Sequence, residues 1–350
     1  MPQRRAVTIK QVADLAGVSQ MTVSRVFNHP DAVKQDTRVR VERAVKTLNY
    51  RPNLMARNLA GGNSQLLGLP FHGVNSAYMT KLLVEAIRIC RERGHHLLVE
   101  DITETGDGNL DGEDVLKRLK SLSLDGLIIP PHLARDNDFI GQLALQTYNS
   151  VILGAGTNVE TNLAKVSSDD RGGSRKITRY LIERGHTHIG FIGGLSDSPA
   201  GRARKLGFEL ALTDFDIAPD PALMLRGDYS IQSGMYAGEK LLSLKIPPTA
   251  VVCANDDMAA GLMMSAIKRG IKLPDELSVV GYDNTSIAVQ AWPGITTVQQ
   301  PIRRMTELTI DYLTNGEFPT DMPHTKQISE THIEVYDMQI VERESVARLS

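Results

Sequence analysis

Apolar positions recur at helical spacing over the first fifty residues and in short strand-like runs after that. Ile9, Val12, Ala13 and Ala16 share one helical face,. Thr8 precedes them as a good N-cap, and Gln11, three residues on, completes a capping box,. Gly17 suits the left-handed residue that ends such a helix,. Ser19 can then cap a second helix over 20–27, with Val23, Val26 and Phe27 as its buried stripe. A third helix over 34–49 spaces Val39, Val41, Ala44, Val45 and Leu48 along one side. Two short helices about a tight Gly-containing turn match a helix-turn-helix.

Pro52 suits the first turn of a further short helix, which Gly61 and Gly62 stop,. At about two turns it is too short to be stable alone in water. A βα rhythm follows. One series has strands at 66–71, 95–100, 126–129 and 151–154, with helices at 78–93, 112–122 and 139–147,. A second has strands at 165–168, 189–193, 223–226, 250–254 and 277–281, with helices at 173–184, 202–213, 230–244 and 258–269. A strand at 296–298 and a helix at 301–314 complete the pattern. This divides the chain into 1–50, 51–64 and 65–350. Within the last, one subdomain is expected at about 65–163 and 295–324, the other at about 164–294 and 325–350.

Charge changes the picture more than composition does. With 41% hydrophobic and 23% charged residues the chain is ordinarily globular,. No apolar run approaches the roughly 18 residues of a membrane span. The first ten residues lack an apolar signal core, so a cytoplasmic, membrane-free protein is expected,. Cys90 and Cys253 stand alone, which argues against a disulfide scaffold or a cysteine-built zinc site,. The net charge of −2 hides an asymmetry: residues 1–64 hold eleven basic and four acidic side chains, a net of +7, which leaves −9 for the rest. A small basic head on an acidic body suggests that the head meets a polyanion.

The natural use of the head is to lay its second helix in a DNA major groove. Gln20, Met21, Ser24 and Arg25 face away from Val23 and Val26. Arg25 can bond guanine O6 and N7 together, Gln20 can read adenine, and Met21 offers apolar contact to a thymine methyl. Ser19, Thr22, Asn28, Lys34 and Thr37 suit phosphate contacts, which position without specifying.

Open parallel sheets bind ligands beyond the carboxyl ends of their strands. Residues just past each strand are His72 and Asn75, Asp169 and Asp170, Ser198, Asp228 and Tyr229, Asn255 and Asp256, and Asp283 and Asn284, with Arg204 in the helix after 189–193. Such a set fits a small polyol: carboxylates and amides meet vicinal hydroxyls, an arginine forks across two oxygens, and a ring covers an apolar sugar face. The Asp169-Asp170 pair is read instead as capping the helix that follows.

VTIKQVADLAGVSQMTVSRVFN, followed by LNYRPNLMARNLAGG, resembles the lac repressor/galactose repressor family of bacterial transcription regulators. GHTHIGFIGG, ARKLGFELAL, VCANDDMAAG, LSVVGYDN and GITTVQQP also look like family segments, so the resemblance covers nearly the whole chain. It implies an all-α helix-turn-helix head plus an α/β body of two doubly wound parallel-sheet subdomains, resembling type I periplasmic binding proteins. It implies a hinge helix over 53–60 that pairs with a partner's in the DNA minor groove, where Leu59 is levered between base pairs. Thr8, Tyr50, Asn53, Ala56 and Arg57 join the DNA-contacting set. The resemblance also implies that Arg204 of ARKLGF, Asn255 of AND, Asp283 of GYDN and Tyr229 of GDY bind the effector, beside His72, Asn75 and Ser198.

No phosphate-binding loop, HExxH or GxSxG motif occurs, His186 and His188 make a poor metal pair, and no acid/base pair can be localised, so neither a cofactor nor an enzyme is expected,. Met21 is unusual at a base-reading place, and the 332–339 stretch looks longer than the family's usual connection. No apolar heptad tail follows Ser345, so a homodimer on double-stranded operator DNA is expected, as two recognition helices reading a near-palindrome also require. The reading is a repressor whose operator affinity is set by a small carbohydrate effector. A purine- or nucleoside-responsive regulator is the alternative. Lesser rivals are a free sugar-binding module, a sugar-acting enzyme and a ligand-insensitive architectural DNA binder.

Overall fold

The computed structural model describes residues 7–28, 32–48, 50, 64–71, 77–102, 112–146, 149–154, 161–319, 322–336 and 338–349. The chain divides into two compact units, Met1–Gln65 and Leu66–Ser350.

The first unit packs helices α1 (Ile9–Ala16), α2 (Gln20–Asn28) and α3 (Gln35–Leu48). The capping box at its start is formed: the Gln11 backbone N–H donates to Thr8 Oγ1, and the Thr8 N–H donates to Gln11 Oε1 at 2.8 Å. Gly17 ends α1 in the left-handed region at φ 64°. Ser19 Oγ accepts from the Thr22 N–H at 3.1 Å and so caps α2. Val12, Ala13, Ala16, Val23, Val26, Val41 and Ala44 form the core, with Phe27, Val45, Leu48 and Tyr50 packed against it. Val39, expected on the buried side of α3, is 46% exposed. Val41 and Ala44 occupy that face, and Val39 lies roughly 200° around the helix from Val41, at about 100° per residue,.

The second unit holds two sheets. The first is built from β1 (Leu66–Phe71), β2 (His96–Asp101), β3 (Gly126–Ile129), β4 (Ser150–Leu153) and β5 (Ala164–Ser168). Helices α4 (Ala77–Glu92), α5 (Gly112–Ser121) and α6 (Asn137–Ala144) fall between these strands. The chain continues with α7 (Asp170–Ile182), β6 (Ile189–Gly193), α8 (Pro199–Thr213), β7 (Met224–Arg226), α9 (Ile231–Leu241), β8 (Ala250–Cys253), α10 (Asp256–Lys268) and β9 (Ser278–Asp283). It ends with α11 (Ser286–Gln290), β10 (Thr296–Gln299), α12 (Ile302–Asn315), β11 (Thr325–Ser329), β12 (His332–Val335) and β13 (Gln339–Val341). The first sheet has strand order β11-β12-β5-β4-β3-β1-β2, and the second β13-β10-β9-β8-β6-β7. All neighbours run parallel except β11 with β12 and β13 with β10. Each sheet carries its own apolar core.

This order corrects the expected subdomain boundaries in three places. The strand expected at 165–168 falls in the second subdomain's range, but as β5 (Ala164–Ser168) it pairs with β4 in the first sheet (Val151↔Ala164). The strand near 296 was assigned to the first, but β10 pairs with β9 in the second (Thr296↔Val280). Residues 325–350 were assigned wholly to the second, but β11 and β12 extend the first sheet and only β13 joins the second. An apolar run shows that a strand exists and says nothing of which sheet it enters, because pairing is non-local. The chain therefore passes between the lobes three times: after β5, after β10 and after β12. Within the 332–339 stretch, residues 332–335 form β12, and the third crossing follows it.

Helices α9 and α10 approach closely through glycines on both sides. A Cβ on Gly261 would fall on the Ile231 carbonyl, and one on Gly234 on the backbone of Met258. Backbone cannot retreat as a flexible side chain can. Gly261→Ala is therefore expected to destabilise the second unit by about 1–3 kcal/mol. Urea unfolding should show a lower midpoint with an unchanged slope.

Candidate functional site

On the head, α2 presents Gln20, Met21 and Arg25 to solvent, with Ser24 and Thr22 half-buried beside them. Met21 is 68% exposed, far more than a core methionine would be. The sequence-derived reading face is thus brought together on one helix. Lys34 is exposed and Thr37 half-buried, on and just before α3. The hydroxyls of Thr8 and Ser19 are engaged in caps, so any DNA contact they make is added to a local role. Tyr50 packs its ring against Phe27, centroids 6.3 Å apart, which ties it to the head's core. Asn28 ends α2. Asn53, Ala56, Arg57 and Leu59 lie outside the described residues, as do His72 and Asn75 of the body.

In the body, a cavity of about 230 Å³ opens between the two lobes. It is lined by Ser198, Arg204, Tyr229, Asn255 and Asp283, which are five of the sequence-derived effector residues. Ser198, Tyr229, Asn255 and Asp283 lie at or beyond the carboxyl ends of strands, and Arg204 comes from α8. Ser198 caps α8, its Oγ accepting from the Gly201 N–H at 3.3 Å. Asn255 caps α10 through Oδ1 and donates its Nδ2 to the Tyr229 carbonyl at 2.9 Å. Tyr229 and Asp283 have left-handed backbones, φ 71° and 102°. Such conformations cost side-chain-bearing residues energy and collect at functional sites. The Tyr229 hydroxyl donates to Ser198 Oγ at 3.1 Å, and a Cβ on Gly194 would collide with the tyrosine ring, so this glycine gives the ring its place.

Arg204 is 5% exposed and organises the floor. Its Nε donates to Asp170 Oδ1 at 2.8 Å, its Nη2 lies 3.3 Å from Asp283 Oδ1, and its Nη1 donates to the Ala254 carbonyl. The guanidinium carbon sits 3.8 Å from the centroid of the Tyr282 ring. Burial opposes the charge on Arg204, but Asp170 and Asp283 more than offset it and hold the guanidinium protonated. Burial pushes Asp283 up to about 6 against the pull of Arg204 and of the Gln300 amide. Beneath it, burial and the nearby Asp283 push Asp256 up to about 7, although Thr297 and Thr285 donate to it.

These shifts have a stability consequence. Asp256 keeps a proton in the folded state to about pH 7, which the unfolded chain releases near the ordinary aspartate value of 3.8. Its contribution to stability is therefore largest at low pH and declines as pH rises from there to about 7,. Asp256→Asn is expected to reduce the loss of stability between about pH 4 and about pH 8, measured by urea unfolding at both ends.

The Asp169-Asp170 pair departs from expectation. Asp169 does cap α7, accepting from the Gly172 N–H at 2.8 Å. Asp170 instead turns inward, 3% exposed, onto Arg204. Tyr78, which the sequence places with His72 in the wall around 71–78, lines the cavity, as do Gln300, His132 and Arg135, which were not singled out from sequence. Gln300 follows β10 and His132 follows β3, so the strand-end rule applied to every strand would have found both. Tyr78 comes from the first turn of α4.

Among the described residues, contacts tie the lobes across the cleft. Lys81 Nζ donates to the Asn284 carbonyl at 3.0 Å, Arg135 lies 3.2 Å from Asp197, and the buried Asp257 accepts from the Ala77 backbone at the start of α4. No group of His, Cys, Asp and Glu among the described residues could hold a metal ion.

Comparison with known proteins covers both units. Residues 8–53 match the model of bacterial regulatory proteins of the lacI family, and residues 178–346 match a periplasmic binding protein-like domain. The Bacillus subtilis protein described as a probable HTH-type transcriptional repressor ExuR is 32% identical over 305 residues, 86% of this chain and 89% of its own. The Vibrio cholerae HTH-type transcriptional repressor PurR is 32% identical over 349 residues, 98% of this chain and 99% of its own. Among solved structures, the lac repressor dimer bound to operator and the anti-inducer ONPF superposes with a TM-score of 0.79 at 28% identity, covering 98% of this chain and 100% of that one. A complex of the transcriptional regulator CelR with cellobiose superposes at 0.69 and 28%, covering 97% and 99%.

Proposed function

The chain belongs to the lacI family of bacterial regulatory proteins, and from that premise we propose that it is a homodimeric repressor whose operator affinity is set by a neutral sugar bound in the inter-lobe cavity. The observation that carries this reading is the buried Arg204, held between Asp170 and Asp283 at the floor of a cavity bounded by both lobes.

The chemistry of the floor favours a neutral polyol. Arg204 already faces two carboxylates, so a phosphate or carboxylate ligand would meet a neutralised cation beside a surplus of acids. Hydroxyls suit such a floor, since each can donate to a carboxylate and accept from an arginine N–H. Tyr229 offers a ring for an apolar sugar face,. The cellobiose-bound neighbour supports the sugar class, and a purine or nucleoside is the second reading. The cavity works as a binding site and not a catalytic one on this reading. Residues 1–50, 51–64 and 65–350 act as reading head, hinge and effector body, and the expected contacts of Asn53, Ala56, Arg57 and Leu59 with DNA belong to the hinge. Dimerisation is supported by exposed apolar pairs one helical turn apart, Val84 with Ile87 on α4 and Met264 with Ile267 on α10.

The effector changes the angle between lobes and so decides whether paired hinge segments can dock on DNA. Operator and effector must then alter each other's affinity by one factor. The experiment selects an operator from random duplexes, then screens sugars and nucleobases by thermal shift. A sugar that stabilises the dimer and changes operator affinity is expected. Stabilisation by hypoxanthine or guanine in place of any sugar would move the reading to purines. A bound sugar that leaves operator affinity unchanged would end the regulatory reading.

A further inference from the structure

Five buried polar groups form a closed ring at the pivot of the body. Asp170 Oδ1 accepts from Arg204, whose Nη2 reaches Asp283 Oδ1. Asp283 Oδ1 also accepts from Gln300 Nε2 at 2.6 Å. Gln300 Oε1 lies 3.1 Å from Ser168 Oγ, and Ser168 Oγ lies 3.4 Å from Asp170 Oδ2, which closes the ring. All five residues are at least nine-tenths buried. Ser168 is the last residue of β5, and Gln300 directly follows β10. These are the places where the chain makes two of its three passages between the lobes. Arg204, Asp170, Asp283 and Gln300 line the cavity, whereas Ser168 does not.

We propose that Ser168 and Gln300 are positioning residues that make the ring report cavity occupancy to the inter-lobe crossings. The proposal rests on the reading of the cavity as the effector site and says how that site acts. Ser168 carries one hydroxyl hydrogen and faces two acceptors, Gln300 Oε1 and Asp170 Oδ2, so it serves one at a time,. The Gln300 amide is oriented by Asp283, which can only accept when ionised, so its oxygen is turned toward Ser168,. A ligand hydroxyl that donates to Asp170 or Asp283, or accepts from Arg204, redistributes the donors round the ring. Ser168 then changes acceptor, and the change falls on the peptide segments that set the lobe angle. Pivot positions built only from apolar side chains would have no such response. The polar ring accepts the desolvation of three charges at a point where packing alone would hold the strands together.

The test uses the full-length dimer. One spin label is placed in each lobe, by Asp138→Cys and Lys245→Cys, both at exposed positions, while Cys90 and Cys253 are buried. Labelled chains are diluted with unlabelled ones, and the inter-lobe distance distribution is measured without any ligand. Ser168→Ala and Gln300→Met are each expected to broaden that distribution, and Ser168→Thr, which keeps the hydroxyl, to leave it as in the parent. Unchanged distributions in both Ser168→Ala and Gln300→Met would overturn the proposal.

A second arm uses D-glucose, D-galactose, D-xylose and cellobiose as probes. With any that binds, Ser168→Ala is expected to retain sugar affinity, since it does not line the cavity, and to lose about fivefold of the sugar's effect on operator affinity. A full effect of the sugar in Ser168→Ala would also overturn the proposal. If none of the four sugars binds, the sugar reading fails, and the ligand-free distances decide the ring by themselves.

Discussion

Arg204→Met is expected to destabilise the α/β body by about 3–5 kcal/mol, the cost of leaving a buried charge without its partner. Methionine approximates the length of the arginine stem and removes every donor. Asp170 and Asp283, 3% and 4% exposed, would then face each other's charge with the guanidinium gone. Asp283 already stands at about 6 with Arg204 in place, so the variant should take up a proton there near neutral pH. The sign follows from linkage: a carboxyl whose folded value exceeds its unfolded one loses stability as pH rises between the two. The deficit should therefore be larger at about pH 8 than at about pH 5, and urea unfolding at both values measures it. A deficit below about 1 kcal/mol at both would show that the two carboxylates do not depend on Arg204. The effector response should vanish in any variant that still folds, because the floor of the cavity loses the Arg204 guanidinium.

Arg25→Ala should cost about 1–3 kcal/mol of operator binding, concentrated at a single base pair. The side chain is exposed on α2 next to Gln20 and Met21, on the face opposite the core residues Val23 and Val26. A guanidinium there can take guanine O6 and N7 together, a contact that alanine cannot replace. Binding to a panel of single-substituted duplexes should show the parent's preference at that position flattened in the variant. Equal weakening on every duplex, with a salt dependence shallower by about one ion, would assign Arg25 to phosphate. The stability of the head should hardly change, since the side chain is exposed.

The head was legible residue by residue. The Thr8–Gln11 box, the left-handed Gly17 and the Ser19 cap are set by groups three or four residues apart, and a sequence displays such groups directly,. Val39 was misplaced because a valine among arginines satisfies an apolar count without lying on the buried face. Strand-end residues were legible through a general rule of parallel sheets, which found Arg204, Asn255 and Asp283 and, applied to too few strands, passed over Gln300 and His132,. The short strands β11, β12 and β13 escaped notice because they are at most five residues long and mix polar with apolar side chains.

What the amino-acid order determined by itself was local: the helix caps, the exposed face of α2 and the alternation of strands with helices. Only the tertiary structure decided which sheet receives each strand and which carboxylates meet Arg204. Asp170 lies 34 residues away from it in the chain, and Asp256 sits next to the cavity-lining Asn255 yet turns to Thr285 and Thr297 instead. The reason is physical: periodicity states that a face must be buried and a charge must be paired, but the partner is chosen by long-range packing and by the cost of leaving any buried charge alone.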